Sequence, residues 1–327
     1  MKISFRISLF IPLLLLVASA CFDPSLAMAQ KREDDDTIRV DTELVDLNVS
    51  VFSRDVSRPV WQLAQKDFVV LENGVPQEIA FFAAASAPFD LVLLLDLSGS
   101  TADKLDLIRA SANRFVSAAR PTDRIAIVTF TDEPRLVSPL TSDRVELLKS
   151  IKKIKKPDGG TKFWDALRYV LEDVLNQGRA AHRSAVVVMT DGVDNSLPGV
   201  KGEGSWTSFQ ELLDIIRRSE AIVVPIYLDT EREMVEQQRA TETTYLIARG
   251  RLGQLATESG SIVYRANKVE DLNGVYEHVI RDLGTVYSLG YRPTNKARDG
   301  RWRKIELKLA RPELNARTRD GYRAPKT

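Results

Sequence analysis

We predict an α/β fold from this sequence, with a doubly wound, mainly parallel six-stranded sheet and a small flanking β-domain from the N- and C-terminal segments. Two observations support this prediction. In the middle of the 327-residue chain, continuously apolar runs of strand length alternate with helical patterns, as in parallel sheets that helices cover on both faces. Toward both ends, apolar and polar residues alternate with period two, which is typical of half-buried strands.

The first 29 residues have the pattern of a signal peptide. Lys2 and Arg6 form a positive n-region, residues 9–20 are apolar, and Ala27-Met28-Ala29 fits the small-x-small cleavage rule. The apolar run is too short for a comfortable transmembrane helix. We therefore expect an exported protein without an integral membrane span, which is secreted, periplasmic or associated with the cell envelope.

Cys21, the single cysteine, leaves a second kind of processing open. Ala18-Ser19-Ala20-Cys21 resembles a bacterial lipobox, although leucine is usual at the position of Ala18. A lipid anchor at Cys21 would make that residue the mature N-terminus. Cleavage after Ala29 is favoured because that site matches its rule without a departure. In both cases the folded part holds no cysteine and no intrachain disulfide.

The N-terminal part predicts a short leader and then a β-unit. Residues 30–37 are charged without an apolar period, so we expect a flexible leader. Residues 38–84 contain three β-like runs, and Asn73-Gly74 between the second and the third predicts a hairpin. The three predicted strands are 45–51, 68–71 and 78–82.

Residues 88–284 predict the α/β domain. Its apolar runs form strands of a mainly parallel sheet, and one short strand is expected to pair back on the strand before it. The predicted strands are 91–95, 125–130, 135–138, 185–189, 222–227 and 262–264. The predicted helices are 102–119, 142–154, 162–175, 208–219, 248–258 and 269–283.

The C-terminal segment, residues 285–327, returns to a β pattern with too few strands to stand alone. We expect it to pack with residues 38–84 into one β-sandwich-like domain that the α/β domain interrupts; two separate β-appendages remain the alternative. Residues 281–327 carry thirteen Lys and Arg against five Asp and Glu, which we interpret as a solvated basic face rather than a contact for an acidic partner. The net charge of +1 for the whole chain indicates no nucleic-acid binding.

Oxygen-bearing side chains follow three elements of the predicted sheet. Asp96, Ser98 and Ser100 end the first buried strand, Thr161 follows a glycine pair before a helix, and Asp191 follows the strand 185–189. The carboxyl ends of parallel strands meet at one edge, where doubly wound sheets bind ligands. Two carboxylates and three hydroxyls without nitrogen or sulfur suit a hard divalent cation such as Mg²⁺.

These motifs, Asp-x-Ser-x-Ser, the threonine after Gly-Gly and then Thr-Asp-Gly, resemble the metal-ion-dependent adhesion site of von Willebrand factor type A (VWA) domains. The resemblance covers residues 88–284 and implies a Rossmann-like fold. The whole chain is similar to the bacterial VWFA-related family described from Acidobacteria.

The resemblance implies a role for each site residue. Ser98 and Ser100 would ligate the metal directly, Thr161 would do so in the ligand-bound form, and Asp96 and Asp191 would act partly through water. The cation would be Mg²⁺, with Mn²⁺ or Ca²⁺ as alternatives, and a Glu or Asp carboxylate of a partner protein would complete its coordination. In some relatives the last helix of the domain slides on binding; the sequence does not show whether this chain does so.

The resemblance implies an adhesion-type protein-binding module rather than an enzyme. A metal-dependent hydrolase and a structural scaffold of the cell envelope are the alternatives. His182 and His278 are the only histidines, and no general base for hydrolysis is evident. Ser100 and Thr161 could instead only cap helices, but capping alone does not require all five oxygen donors.

Two long segments, 193–207 and 229–244, are expected to decide partner specificity because both leave carboxyl ends of strands. Disordered insertions are the alternative interpretation. In the second segment, residues 234–239 could form a helix.

Overall fold

The computed structural model describes residues 44–53, 62–99, 104–155, 159–177, 182–219 and 221–326. The predicted signal peptide, the leader, Cys21 and Ser100 lie outside these residues. Among the helices that are described, none has the length and apolar character needed to cross a membrane.

The described residues form fourteen strands and seven α-helices. The strands are β1 (Val45–Ser53), β2 (Phe68–Glu72), β3 (Val75–Gln77), β4 (Ile79–Ala83), β5 (Phe89–Asp96), β6 (Arg124–Phe130), β7 (Pro134–Thr141), β8 (Arg183–Thr190), β9 (Ile222–Leu228), β10 (Tyr264–Ala266), β11 (Val286–Tyr291), β12 (Trp302–Leu309), β13 (Leu314–Arg317) and β14 (Gly321–Arg323). The helices are α1 (Leu105–Ala118), α2 (Arg144–Lys152), α3 (Phe163–Tyr169), α4 (Phe209–Arg218), α5 (Glu231–Glu236), α6 (Glu242–Glu258) and α7 (Leu272–Leu283).

The central sheet has six strands in the order β10-β9-β8-β5-β6-β7. All neighbouring pairs are parallel except β6 and β7, which are antiparallel. Every residue of β5 is buried, because alternate side chains enter two apolar layers. Leu91 and Leu93 pack in the layer that contains residues of α1, α2 and α7, whereas Val92 and Leu94 pack in the layer of α3, α4 and α6. The predicted doubly wound fold is confirmed.

Two antiparallel four-stranded sheets flank this core. Their strand orders are β13-β1-β11-β4 and β14-β12-β2-β3. Each sheet alternates strands from before and after the α/β segment, since β1 pairs with β11 and β2 with β12. One apolar cluster joins their inner faces, with Val49, Val70 and Leu289 fully buried. The flanking β-domain of the predicted fold class is therefore present.

The hairpin at Asn73-Gly74 has a different partner from the predicted one. Both residues have positive φ, +48° and +80°, which favours the tight turns of two-residue hairpins. The turn joins β2 to β3, whereas β4 lies in the other sheet beside β11. The prediction that 78–82 pairs across this turn is wrong, because the chain crosses between sheets there and brings Phe82 against Phe68, with ring centroids 5.9 Å apart.

The helices follow the predicted order with two notable differences. The helix predicted at 162–175 is α-helical only over α3 and continues as a π turn, Val170–Val174. Helix α6 begins six residues before the predicted start, after Thr241, whose side chain accepts a hydrogen bond from the Thr244 amide at 3.1 Å. The last strand of the central sheet, β10, starts two residues after the predicted one.

Candidate metal centre

Asp96 and Asp191 lie at the ends of neighbouring parallel strands. Asp96 is the last residue of β5, and Asp191 directly follows β8. The pairing of Leu95 with Met189 brings the two strands to the same edge of the sheet. Asp96 has no exposed surface and Asp191 is 2% exposed, so the fold places two carboxyl groups in one buried region.

Hydroxyl and amide groups hold the Asp96 carboxyl. Its Oδ1 accepts a hydrogen bond from the Ser98 amide at 2.9 Å, and the Thr190 hydroxyl donates to Oδ2 at 2.6 Å. Burial, followed by repulsion from Asp191, raises the pKa of Asp96 to about 7, although the bonds from Thr190 and Ser98 lower it. A cation beside the two carboxylates would oppose this repulsion and favour their charged forms.

Asp191 is positioned from two directions. Its Oδ1 accepts a hydrogen bond from the Val193 amide at 3.1 Å, and its Oδ2 accepts from the Thr230 hydroxyl at 2.8 Å and the Tyr245 hydroxyl at 3.3 Å. Burial and then the Asp191 charge raise the pKa of Tyr245, so its hydroxyl stays neutral and able to donate. The sequence analysis missed Thr230 and Tyr245. Thr230, just after β9, could have been found by the strand-end rule, but nothing in the sequence links Tyr245 to Asp191.

Thr161 lies at the same edge of the sheet, because backbone hydrogen bonds of Thr161 and Lys162 join their loop to the loops that follow two strands. The Lys162 amide donates to the Thr131 carbonyl after β6 at 2.8 Å, and the Asn195 amide donates to the Thr161 carbonyl at 2.9 Å. Thr161 is 7% exposed. It is not the N-cap of α3, since Lys162 holds that position without a side-chain capping bond. Capping of this helix therefore does not explain the threonine.

The glycine pair before Thr161 packs closely against the side chains of two other loops. Gly159 has a φ of +145°, and a Cβ there would overlap the Asp132 carboxylate. A Cβ on Gly160 would overlap the Asn195 amide group. The Gly160 amide donates to Asp132 Oδ1 at 2.9 Å. The positive φ of Gly159 favours glycine at that position, whereas a side chain at position 160 would have to displace the ends of the Asn195 and Asp132 side chains.

Four of the five predicted ligands are thus described, and all four lie at the carboxyl edge of the sheet. Ser98 is 4% exposed and lies two residues after the end of β5. Ser100 lies outside the described residues. Within the described ranges, no group of three or more His, Cys, Asp or Glu side chains is placed to hold a metal ion. The candidate centre instead combines two carboxylates with hydroxyls. This set of oxygen donors fits Mg²⁺ better than a metal that prefers nitrogen or sulfur ligands.

The segment 193–207 is fastened to the N-terminus of α3. Asp194, fully buried, accepts hydrogen bonds from the hydroxyls of Ser196 and Ser205, both at 2.6 Å, and from the Trp164 amide at 3.2 Å. The Asp165 carboxylate accepts hydrogen bonds from the backbone amides of residues 206 and 207, at 2.9 and 2.8 Å. These bonds give the segment a defined shape without a helix or strand.

The segment 229–244 is largely helical, with α5 and the start of α6. Its Glu233 bonds to Lys104 at 3.1 Å, just before α1. Arg239 lies over the first motif, since a Cβ on Gly99 would be 3.4 Å from its Nη1. The second long segment therefore borders the candidate centre, as the sequence predicted for a specificity loop.

The two histidines lie elsewhere in the fold. His182 Nδ1 is 2.8 Å from Asp90 Oδ1, at the opposite end of β5 from Asp96. His278 is on α7. Hydrolysis through a histidine base beside Asp96 is therefore not supported by this geometry.

Several solved structures resemble the chain in part. Proximal thread matrix protein 1 from the mussel byssus, in a structure with a zinc-occupied MIDAS motif, is 19% identical, with 64% of this chain and 48% of that chain covered and a TM-score of 0.47. The vWF domain of the type V pili tip protein Mfa5 from Porphyromonas gingivalis is 15% identical, with 60% and 94% covered and a TM-score of 0.46. BatB from Bacteroides thetaiotaomicron is 15% identical, with 60% and 98% covered and a TM-score of 0.45. The chain thus spans about half the length of the mussel protein.

A family comparison locates the resemblance in the sequence. Residues 91–193 match the family described as von Willebrand factor type A domain. This match begins in β5 and ends just after Asp191, so it contains all five residues predicted to form the metal centre. The protein therefore carries a von Willebrand factor type A domain.

Proposed function

We propose that this chain is an exported protein-binding module in which a divalent cation at Asp96, Ser98, Ser100, Thr161 and Asp191 binds a carboxylate of a partner protein. The VWA domain would extend over residues 88–284, and Mg²⁺ is the favoured cation. One observation carries the proposal: two buried carboxyl groups, Asp96 and Asp191, lie at the ends of neighbouring strands beside hydroxyl side chains, and burial together with repulsion from Asp191 raises the pKa of Asp96.

The chemistry of the donor set supports binding of an external carboxylate. If Asp96 and Asp191 act partly through water, the ligands in direct contact would be mostly the neutral hydroxyls of Ser98, Ser100 and Thr161, which leave much of the positive charge of the cation uncompensated. A cation with few charged ligands attracts an additional anionic ligand strongly. A Glu or Asp of a partner supplies such a ligand, and binding of this kind requires no general base.

The first test measures metal binding by isothermal titration calorimetry with Mg²⁺ and Mn²⁺. We expect the wild type to bind the cation and Asp96→Ala and Ser98→Ala to bind it at least about 100-fold more weakly, because each removes a ligand or its support. The matched control is Asp106→Ala, whose carboxylate is 94% exposed on α1. Equal affinities of wild type and Asp96→Ala would contradict the proposal.

The second test concerns the partner. Immobilised protein is incubated with an envelope extract in Mg²⁺ or in EDTA, and the bound proteins are identified by mass spectrometry. We expect a partner that is retained in Mg²⁺, released by EDTA and not captured by Asp96→Ala. Binding that persists in EDTA would exclude the metal-bridged contact, and turnover of an ester or phosphate panel that is lost in Asp96→Ala would favour a hydrolase instead.

Export is the remaining part of the proposal, and it depends on the N-terminal sequence. Mass spectrometry of the mature protein distinguishes two forms. An N-terminus at Gln30 supports ordinary signal cleavage, whereas a lipidated Cys21 supports a membrane-anchored lipoprotein. Retention of Met1 would contradict export by either route.

A further inference from the structure

Trp206 is an exposed aromatic residue on a rigid support. Its side chain is 84% exposed, more than that of any other large hydrophobic residue described. Its backbone is fixed, since its amide donates to Asp165 and its neighbour Ser205 bonds to buried Asp194. An exposed tryptophan on a fixed backbone has only two side-chain torsions to order on binding and is typical of interface anchors.

This indole contacts the residue that follows the predicted ligand Thr161. The Lys162 Nζ is 5.3 Å from the centre of the Trp206 ring, and Lys162 directly follows Thr161. Lys162 also lies 3.5 Å from Glu203 in the same loop.

Arg239 is a cation on the other connection that borders the centre. Its guanidinium lies against Gly99, within the first metal-binding motif, and the residue is exposed. In the described part of the chain no carboxylate forms an ion pair with Arg239, whereas Arg232 pairs with Glu236 at 2.9 Å. A guanidinium without an ion pair matches a carboxylate with two parallel hydrogen bonds.

We propose that Trp206 and Arg239 are the recognition residues of this site and that the partner presents an acidic segment of protein chain. One carboxylate of the segment binds the cation, a second acidic residue pairs with Arg239, and an apolar or aromatic residue a few positions away packs on Trp206. The inference rests on the proposed function. It adds which residue types the bound segment of the partner contains, which the cation alone does not determine.

The test uses a phage-displayed library of random peptides, selected on the full chain in Mg²⁺ and eluted with EDTA. We expect enriched peptides that combine two acidic residues with an aromatic or large aliphatic residue. Fluorescence polarisation with the best labelled peptide should then show that Trp206→Ala and Arg239→Ala each bind about tenfold more weakly. Arg239→Ala should also reduce the salt dependence of binding.

Two matched controls lie on neighbouring strands of the flanking β-domain. Trp302 on β12 is 41% exposed and pairs in register with exposed Arg323 on β14. Trp302→Ala and Arg323→Ala should leave peptide affinity within about twofold. Trp206→Ala and the two control variants should keep the Mg²⁺ affinity of the wild type, and Arg239→Ala should not weaken it, because that change removes a positive charge near the cation. These results would show that the cation site itself is intact.

The outcomes separate the two proposals. If EDTA-released peptides bind Trp206→Ala and Arg239→Ala as tightly as the wild type, the recognition residues are wrong and the metal-dependent function stands. Enriched peptides without acidic residues would contradict the proposal that the partner presents an acidic segment. If no peptide is released by EDTA, or if the peptides bind Asp96→Ala equally well, both the function and the inference that rests on it fail.

Discussion

The two ends of strand β5 each carry a fully buried aspartate, but the two are stabilised by different groups. At the start, Asp90 accepts hydrogen bonds from Arg124 Nε at 2.8 Å and lies 2.8 Å from His182 Nδ1. At the end, Asp96 accepts from a hydroxyl and an amide and lies close enough to Asp191 for their charges to repel. The charge of Asp90 is therefore balanced by Arg124 of the same chain, and the Asp90 carboxylate in turn raises the pKa of Arg124.

This difference separates a structural aspartate from a candidate ligand. A buried charge is stable when a partner of opposite charge accompanies it. The start of β5 supplies that partner from Arg124, on the adjacent strand β6. The end of β5 instead collects a second carboxyl group and hydroxyl side chains, an arrangement that gains most from a cation added from solution.

The largest expected effect comes from removing Asp90. Asp90→Ala would leave Arg124, whose side chain is 16% exposed, and His182, 12% exposed, without their shared carboxylate. We expect the free energy of unfolding to fall by about 3–5 kcal/mol, as for other broken buried ion pairs. Urea denaturation measures this change.

Asp96→Ala, measured in the same way without metal, provides the contrast. We expect a smaller loss than for Asp90→Ala, because the substitution also removes the repulsion with Asp191. An equal or larger loss would mean that both ends of β5 are structural, and the comparison between them would fail.

The next effect is stabilisation by the cation. With free Mg²⁺ at about 100 times its dissociation constant, the free energy of unfolding of the wild type should rise by about 2.7 kcal/mol. Asp90→Ala should show the same increment from its lower starting point if it remains folded, whereas Asp96→Ala, which should bind at least about 100-fold more weakly, should gain no more than about 0.4 kcal/mol. Urea titrations with Mg²⁺ and with EDTA test this, and an increment in Asp96→Ala as large as that of the wild type would place the cation elsewhere.

A third effect concerns the loop that carries Thr161. Gly159→Ala should cost about 1–3 kcal/mol of stability, because of its φ of +145° and the overlap with Asp132. It should also weaken Mg²⁺ binding by displacing Thr161. Gly250→Ala is the control with opposite sign. Apart from the backbone of α6 itself, no atom lies within 4 Å of a Cβ there, and alanine in the middle of α6 should stabilise by about 0.5–1 kcal/mol. Thermal unfolding and calorimetry measure both effects.

The sequence predicted the fold class and the strand-end position of three candidate site residues, Asp96, Ser98 and Asp191, because these follow from local patterns. Buried parallel strands are continuously apolar, and Asp96 and Asp191 directly follow such runs. The crossing of β4 into the other sheet was not predictable, since the turn at Asn73-Gly74 determines the hairpin but not how far its second strand continues. The Asp191–Tyr245 bond was missed for the same reason: it joins residues 54 positions apart and depends on how α6 packs.

The smallest expected effect tests that missed contact. Tyr245→Phe removes the hydroxyl 3.3 Å from Asp191 but leaves the Thr230 bond at 2.8 Å. We expect Mg²⁺ affinity to fall by about 1 kcal/mol, or roughly fivefold, and Thr230→Val to have a larger effect because it removes the shorter bond. Calorimetry with Mg²⁺ measures both variants.

Tyr276→Phe is the control for this last comparison, because the buried Tyr276 hydroxyl has no hydrogen-bond partner within the described residues. It should leave Mg²⁺ affinity unchanged. If Tyr245→Phe also leaves it unchanged while Thr230→Val lowers it, then Thr230 alone orients Asp191. If neither variant lowers it, the orientation of Asp191 does not matter for the cation, and its contribution is only its charge. In that case the two ends of β5 would differ only in where the balancing positive charge comes from: Arg124 at the start and a cation from solution at the end. Precise positioning of the carboxylates would not be part of the difference.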